Sequence, residues 1–239
     1  MVDFQSPHCH RVCKYALCLV HFQPPQDLHL PTIEQYASMQ PRSIKYASMT
    51  ITLCNQKGGA GKTTLTLLLA MALEEAGRSV AILDRDPQQT ATRAISHLRG
   101  QELTSIDLVA KAGSHDVTII DTAPRLDDVL ARSISESHRA ILVCSPSPAD
   151  LWSTQESREF VIKHLPKDSK SAVLFNSVLK GARISRDLTE LAKLIGFPAL
   201  RNCIIRRQCY QYAIIQGWII LKPLERSEIQ SAALEIGTM

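Results

Sequence analysis

No apolar run in the 239-residue chain approaches the ~20 residues that a membrane-spanning helix needs. The seven cysteines are odd in number and irregularly spaced, which argues against a disulfide framework and for a reducing cytoplasm. A net charge of +4 is too small to make the whole molecule a polyelectrolyte partner, so any nucleic-acid contact has to come from a local patch. Beyond residue 49 there is no internal repeat and no linker. The remaining composition, 21% charged and 45% hydrophobic, is that of an ordinary globular protein, long enough for one α/β domain.

The first 48 residues differ from the rest. They carry Pro7, Pro24, Pro25, Pro31 and Pro41 and no sustained periodicity. Their apolar run, Tyr15 to Val20, is shorter than the core of about 7–15 residues in a signal peptide. His8, Cys9, His10, Cys13 and Cys18 invite a zinc reading, but their spacing forms no two separated ligand pairs. Tyr-Ala-Ser-Met occurs at 36–39 and again at 46–49, too short to define a repeat fold.

What the chain does have is Gln56-Lys57-Gly58-Gly59-Ala60-Gly61-Lys62-Thr63-Thr64, between a short apolar run (Ile51–Cys54) and a long one (Leu65–Leu73). Strand, glycine loop, helix is the setting of a phosphate-binding loop. The glycines let successive N–H groups converge on one anion, and the helix dipole adds to them. Residues 58–64 are therefore the expected nucleotide-binding stretch: Lys62 supplies a charge for the β- and γ-phosphates of ATP, and the Thr63 hydroxyl is placed for Mg²⁺. An ordinary loop of this kind starts with glycine where Gln56 stands, and here a second lysine, Lys57, follows.

From residue 49 onward apolar runs at about 50–54, 80–84, 117–121, 140–144, 172–177 and 202–205 alternate with amphipathic segments at about 63–76, 89–98, 126–136, 150–164 and 184–195. A last helix is expected from about Ser227 to Ile236. Such alternation predicts a doubly wound, mostly parallel sheet with helices on both faces and ligands at the carboxyl ends of the strands. At those ends stand Asp84-Arg85-Asp86-Pro87-Gln88, Asp121-Thr122-Ala123-Pro124, Ser145-Pro146-Ser147-Pro148-Ala149-Asp150 and Asn176. Asp121, capping an apolar strand after the loop, fits a carboxylate that holds magnesium through water. Asp84 reads as support either for the magnesium network or for its own loop.

Lys-Gly-Gly-x-Gly-Lys-Thr-Thr, with the Asp-x-Asp-Pro-Gln and Asp-Thr-Ala-Pro runs behind it, resembles the deviant P-loop ATPases of the ParA/MinD family, most closely the ParA branch. The resemblance covers about residues 49–235. It implies that Lys57 reaches across an ATP-sandwich homodimer to the partner's phosphates, and that Asp86 positions the attacking water. It also makes Met49 a natural first residue, with 1–48 an extension that is either mobile or not normally made. The Ser-Pro-Ser-Pro loop would line the dimer face, or be a stiff loop with Asp150 as a helix cap. Asn176 would read the adenine edge, or serve as turn chemistry. Arg201, Arg206 and Arg207, with Lys180, Arg183 and Arg186 nearby, would hold DNA nonspecifically through its phosphates, or form a solvated basic face.

The function implied is an ATP-hydrolysing partition or positioning protein, cytoplasmic and nucleoid-associated, released from DNA by a ParB-like partner. Two other readings stay open: a metabolic or cofactor-maturation ATPase of the same fold, and a non-hydrolysing interaction protein. The tail carries Glu228 and Glu235 and no lysine in its last turns, unlike a basic membrane anchor. Cys54 and Cys144 fall inside strands, as core residues rather than cluster ligands.

Overall fold

A computed structural model describes residues 48–181 and 188–239. The apolar runs form six parallel strands: β1 (Met49–Cys54), β2 (Val80–Asp84), β3 (Asp107–Leu108), β4 (Val117–Asp121), β5 (Arg139–Cys144) and β6 (Lys170–Phe175). Their order across the sheet is β3-β2-β4-β1-β5-β6. The chain leaves β1 toward one edge, returns through β4 to lie beside it, and then builds the other edge. The connections leaving neighbouring strands therefore diverge near the end of β1, where such sheets open a crevice.

Alternation along each strand sends residues to two cores. Ile51, Leu53, Ile82, Ile119, Ile141 and Val143 belong to one, and Cys54, Leu142, Cys144, Val173 and Phe175 to the other. The first core is covered by α1 (Lys62–Glu75), α2 (Thr90–Gly100), α6 (Cys209–Gln216) and α7 (Pro223–Thr238). The second lies under α3 (Asp128–Ser135), α4 (Pro148–His164) and α5 (Leu188–Ile195). Helix α1 is apolar on nearly every side because it is enclosed; Leu65 and Leu67 to Ala72 are all buried. It ends as its sequence predicts. Gly77, at φ +77°, donates to the Glu74 carbonyl and Arg78 donates to that of Leu73, a paired αL closure.

Four expectations change. The run at 202–205 is not a strand; its Ile205 makes an isolated bridge with Val178, just past β6, and Ala199 before it makes another with Val173 in β6. The edge strand β3, two residues long, falls below any periodicity signal. Helix α6 and the 3₁₀ turn Trp218–Ile220 fill a stretch with no helical reading in the sequence. Helix α7 is longer than expected, starting at Pro223 as proline favours. The zinc-like residues of 8–18, the first 47 residues and Arg183 and Arg186 lie outside the described residues. Among the described residues no helix is long and apolar enough to cross a membrane, and no group of three or more His, Cys, Asp or Glu is placed to hold a metal.

Candidate nucleotide site

The loop between β1 and α1 is fastened before it turns. Asn55, 1% exposed, donates its amide to the Val143 carbonyl (2.8 Å) and to Thr154 Oγ1 (3.2 Å), and accepts from the Lys57 N–H (3.0 Å). Gln56, where an ordinary loop has glycine, donates to the Ser153 carbonyl and to Glu156, while its N–H donates to Ser157 Oγ. The start of the loop is thus stitched to β5 and α4, a bracing role that the sequence does not announce.

Gly59 (φ +76°) and Gly61 (φ +93°) turn the loop in the left-handed region. A Cβ on Gly61 would stand 2.3 Å from Asn176 Nδ2. That amide donates to the Ala60 carbonyl at 2.9 Å, so Asn176, at the end of β6, holds the loop closed. Gly61→Ala is therefore expected to lower nucleotide affinity by roughly tenfold or more through backbone strain and loss of this contact. Gly100→Ala, at the end of α2 and away from the loop, meets nothing within 4 Å and is the control, and titration of ADP into both measures the difference.

Lys62 opens α1 and is only 6% exposed. Its ammonium donates to the carbonyls of Asn55 (3.0 Å) and Lys57 (3.4 Å). Burial lowers its pKa from the usual lysine value, opposed by the charges of Asp121, Cys54 and Asp86. Thr63 Oγ1 donates to Asp121 Oδ2 at 2.7 Å and Thr66 Oγ1 to Oδ1 at 3.2 Å. Asp121 is fully buried, and its carboxyl is pushed up to about 6, by burial first of all. A carboxylate so short of positive charge, beside a hydroxyl oxygen, is a hard donor set suited to magnesium.

Asp86 lines the cavity that holds the glycine loop, its Oδ1 accepting from the Gln88 N–H at 2.9 Å. Asp84 takes the loop-supporting alternative: it accepts from the N–H and the hydroxyl of Thr92 in α2 and from the Asp86 N–H. Ser147 caps α4 by accepting from the Asp150 N–H, so Asp150 is not the cap. The Asp150 carboxylate, 8% exposed, instead binds the Lys57 ammonium and the Ser145 hydroxyl. Cys54 and Cys144 are buried as expected, the Cys54 thiol pushed up to about 12 by burial.

The three arginines separate. Arg206 and Arg207 line the cavity of about 660 Å³ that holds the glycine loop, Asp86, Thr122, Asp150 and Asn176. Arg201 lines another, beside Asn202 and Glu235. Arg206 is exposed, whereas Arg207 donates to Glu228 Oε2 at 3.0 Å, a pairing that raises its pKa.

A parallel α/β sheet with a glycine loop and buried lysine after its first strand, and a threonine of that loop paired with an aspartate at the end of the neighbouring strand, defines a P-loop nucleotide-binding protein. A family model described as the CobQ/CobB/MinD/ParA nucleotide binding domain matches residues 51–217, and the chain belongs to that family. It is 27% identical over 205 residues to maintenance of carboxysome distribution protein A of Halothiobacillus neapolitanus, covering 79% of this chain and 93% of the relative. It is 28% identical over 191 residues to the chromosome-partitioning ATPase Soj of Treponema pallidum, covering 79% and 68%. The fold matches that of an ATP complex of a Cyanothece McdA variant with a TM-score of 0.66 at 15% identity, covering 80% of this chain and 97% of the other.

Proposed function

We propose that this chain is a Mg²⁺-dependent ATPase that positions a cargo by pairing with a second copy around bound ATP, holding DNA in that paired form and releasing it when a ParB-like partner stimulates hydrolysis. The observation that carries the reading is the gathering of Lys57, Lys62, Thr63 and Asp86 about one cavity, with Asp121 bonded to Thr63 behind it, in a chain whose relatives are named for distributing carboxysomes and partitioning chromosomes. Lys62 holds the terminal phosphates, and Thr63 and Asp121 hold a magnesium ion that would offset phosphate charge. Asp86 keeps a water in line, which suits a reaction catalysed mainly by positioning and charge. Lys57 acts on the partner's nucleotide.

The metabolic alternative, also represented in the family's description, needs room for a second substrate. ATPase assays with and without DNA separate the readings. DNA-stimulated turnover supports positioning, turnover that depends on a metabolite supports the alternative, and absence of turnover removes both.

Of the expected DNA-binding arginines, Arg201 and Arg206 are the exposed ones. In the ATP-saturated protein, replacing both by alanine is expected to reduce the slope of log affinity against log salt by about 1.8, roughly 0.9 per lost phosphate contact. An unchanged slope discards both arginines as DNA contacts.

A further inference from the structure

The cavity has two walls of different construction. One is the glycine loop, whose N–H groups and Lys62 suit phosphates. The other consists of Asn176, Ser177, Ile204 to Arg207, Tyr210 and Gln211. Residues 204–207 of this second wall are irregular chain lying alongside the end of β6, and Tyr210 and Gln211 belong to the first turn of α6. The Ile204 N–H donates to the Phe175 carbonyl (2.8 Å), the Val178 N–H to that of Ile204 (3.0 Å), and the Arg206 N–H to that of Val178 (2.9 Å). No neighbouring strand takes the Ile205 N–H. Glu228 of α7 takes it instead, at 2.6 Å through Oε1, while Oε2 accepts from Arg207 Nη2 at 3.0 Å.

One helix does this twice. Glu235, two turns along the same face of α7, accepts from the Arg201 N–H (2.7 Å), the Asn202 N–H (3.0 Å) and Asn202 Nδ2 (2.7 Å). Between them the two carboxylates take the N–H groups of Arg201, Asn202 and Ile205 and the side-chain donors of Asn202 and Arg207. The adjoining face of α7 is anchored by Ile229, Ala232, Ala233 and Ile236, all buried. The wall is therefore located by a rigid helix through side-chain carboxylates. Only Glu228 of the two grips the part that lines the cavity.

We infer that Glu228 is a positioning residue for the nucleoside end of the bound nucleotide: it fixes Ile205 and Arg207 where base and ribose lie, and leaves the phosphate end to the glycine loop. This rests on the nucleotide-site reading above. It gives α7, sequence-distant from the loop, a selective hold on one half of the ligand.

The experiment is calorimetric titration of the full chain with ADP and, separately, with inorganic pyrophosphate, which lacks the nucleoside. For Glu228→Ala, ADP is expected to bind about tenfold more weakly, as for loss of a charge-assisted hydrogen bond, with pyrophosphate unchanged. Glu228→Gln keeps an acceptor for the Ile205 N–H and is expected to restore most of the ADP affinity. A parallel loss of both ligands, or no loss of ADP, overturns the inference. Should Glu228→Ala fail to fold, Arg207→Met cuts the same pair from the wall side and is expected to show the same selectivity. Wild-type protein that binds neither ligand would instead refute the nucleotide site itself, visibly and before any variant is made.

Discussion

Lys62→Met is expected to weaken ATP binding by at least ~100-fold without unfolding the protein. Methionine keeps the apolar stem of the lysine, so the start of α1 stays packed. What goes is a cation already placed: the ammonium is buried and rests on two loop carbonyls, and it can transfer to phosphate without being drawn from bulk water. Its loss is also felt at Asp121. Burial already pushes that carboxyl up to about 6, and the Lys62 charge is among the groups that hold it down. The variant therefore loses a phosphate contact and leaves the carboxylate beside Thr63 with less compensation. Anisotropy of a fluorescent ATP analogue measures the affinity, and a thermal melt checks the fold. Binding within threefold of wild type, by these magnitudes, would remove Lys62 from the site.

Much of this site is legible in the sequence because its chemistry is local. The glycine loop declares itself by composition and by the runs flanking it, and Asp86 and Asp121 by their places at strand ends. Helices follow periodicity to within a few residues, as at Lys62–Glu75, expected at 63–76. What stays hidden depends on long-range partners. Gln56 looks like a missing glycine until Ser153, Ser157 and Glu156 of α4 are seen to take its polar groups. Glu228 and Glu235 look like tail acids that speak only against a membrane anchor. Their partners lie 21 to 34 positions away, on a segment whose apolar pattern suggests a strand. That segment makes only isolated bridges beside β6, and the two carboxylates take the N–H groups of Arg201, Asn202 and Ile205. The arginines of that segment cluster in sequence, and tertiary structure divides them: Arg207 goes to Glu228, Arg206 to the cavity mouth and Arg201 to a different surface.

Lys57→Ala is expected to abolish ATP-dependent pairing, and Asp150→Asn to enhance it. In the single chain Lys57 does not wait in solvent. Its ammonium is bound to Asp150, which is held in turn by Ser145 on the loop leaving β5. A lysine that serves a partner's phosphate has to leave this contact first. The pair is asymmetric in exposure, 42% for the lysine side chain and 8% for the aspartate, so solvent screens it and about 1 kcal/mol is a fair magnitude. A symmetric dimer breaks two such pairs, which makes the opposition about 2 kcal/mol, or roughly 30-fold in the pairing constant. Asparagine removes the charge while keeping the shape and an acceptor for Ser145. The Asn variant should therefore pair at lower protein concentration with ATP, and remain single with ADP. Sedimentation of both variants over a concentration series reads this directly. Normal pairing by Lys57→Ala protein would end the sandwich proposal. Weaker pairing by Asp150→Asn would show instead that the aspartate supports the paired form, and that the ion pair of the single chain does not restrain it.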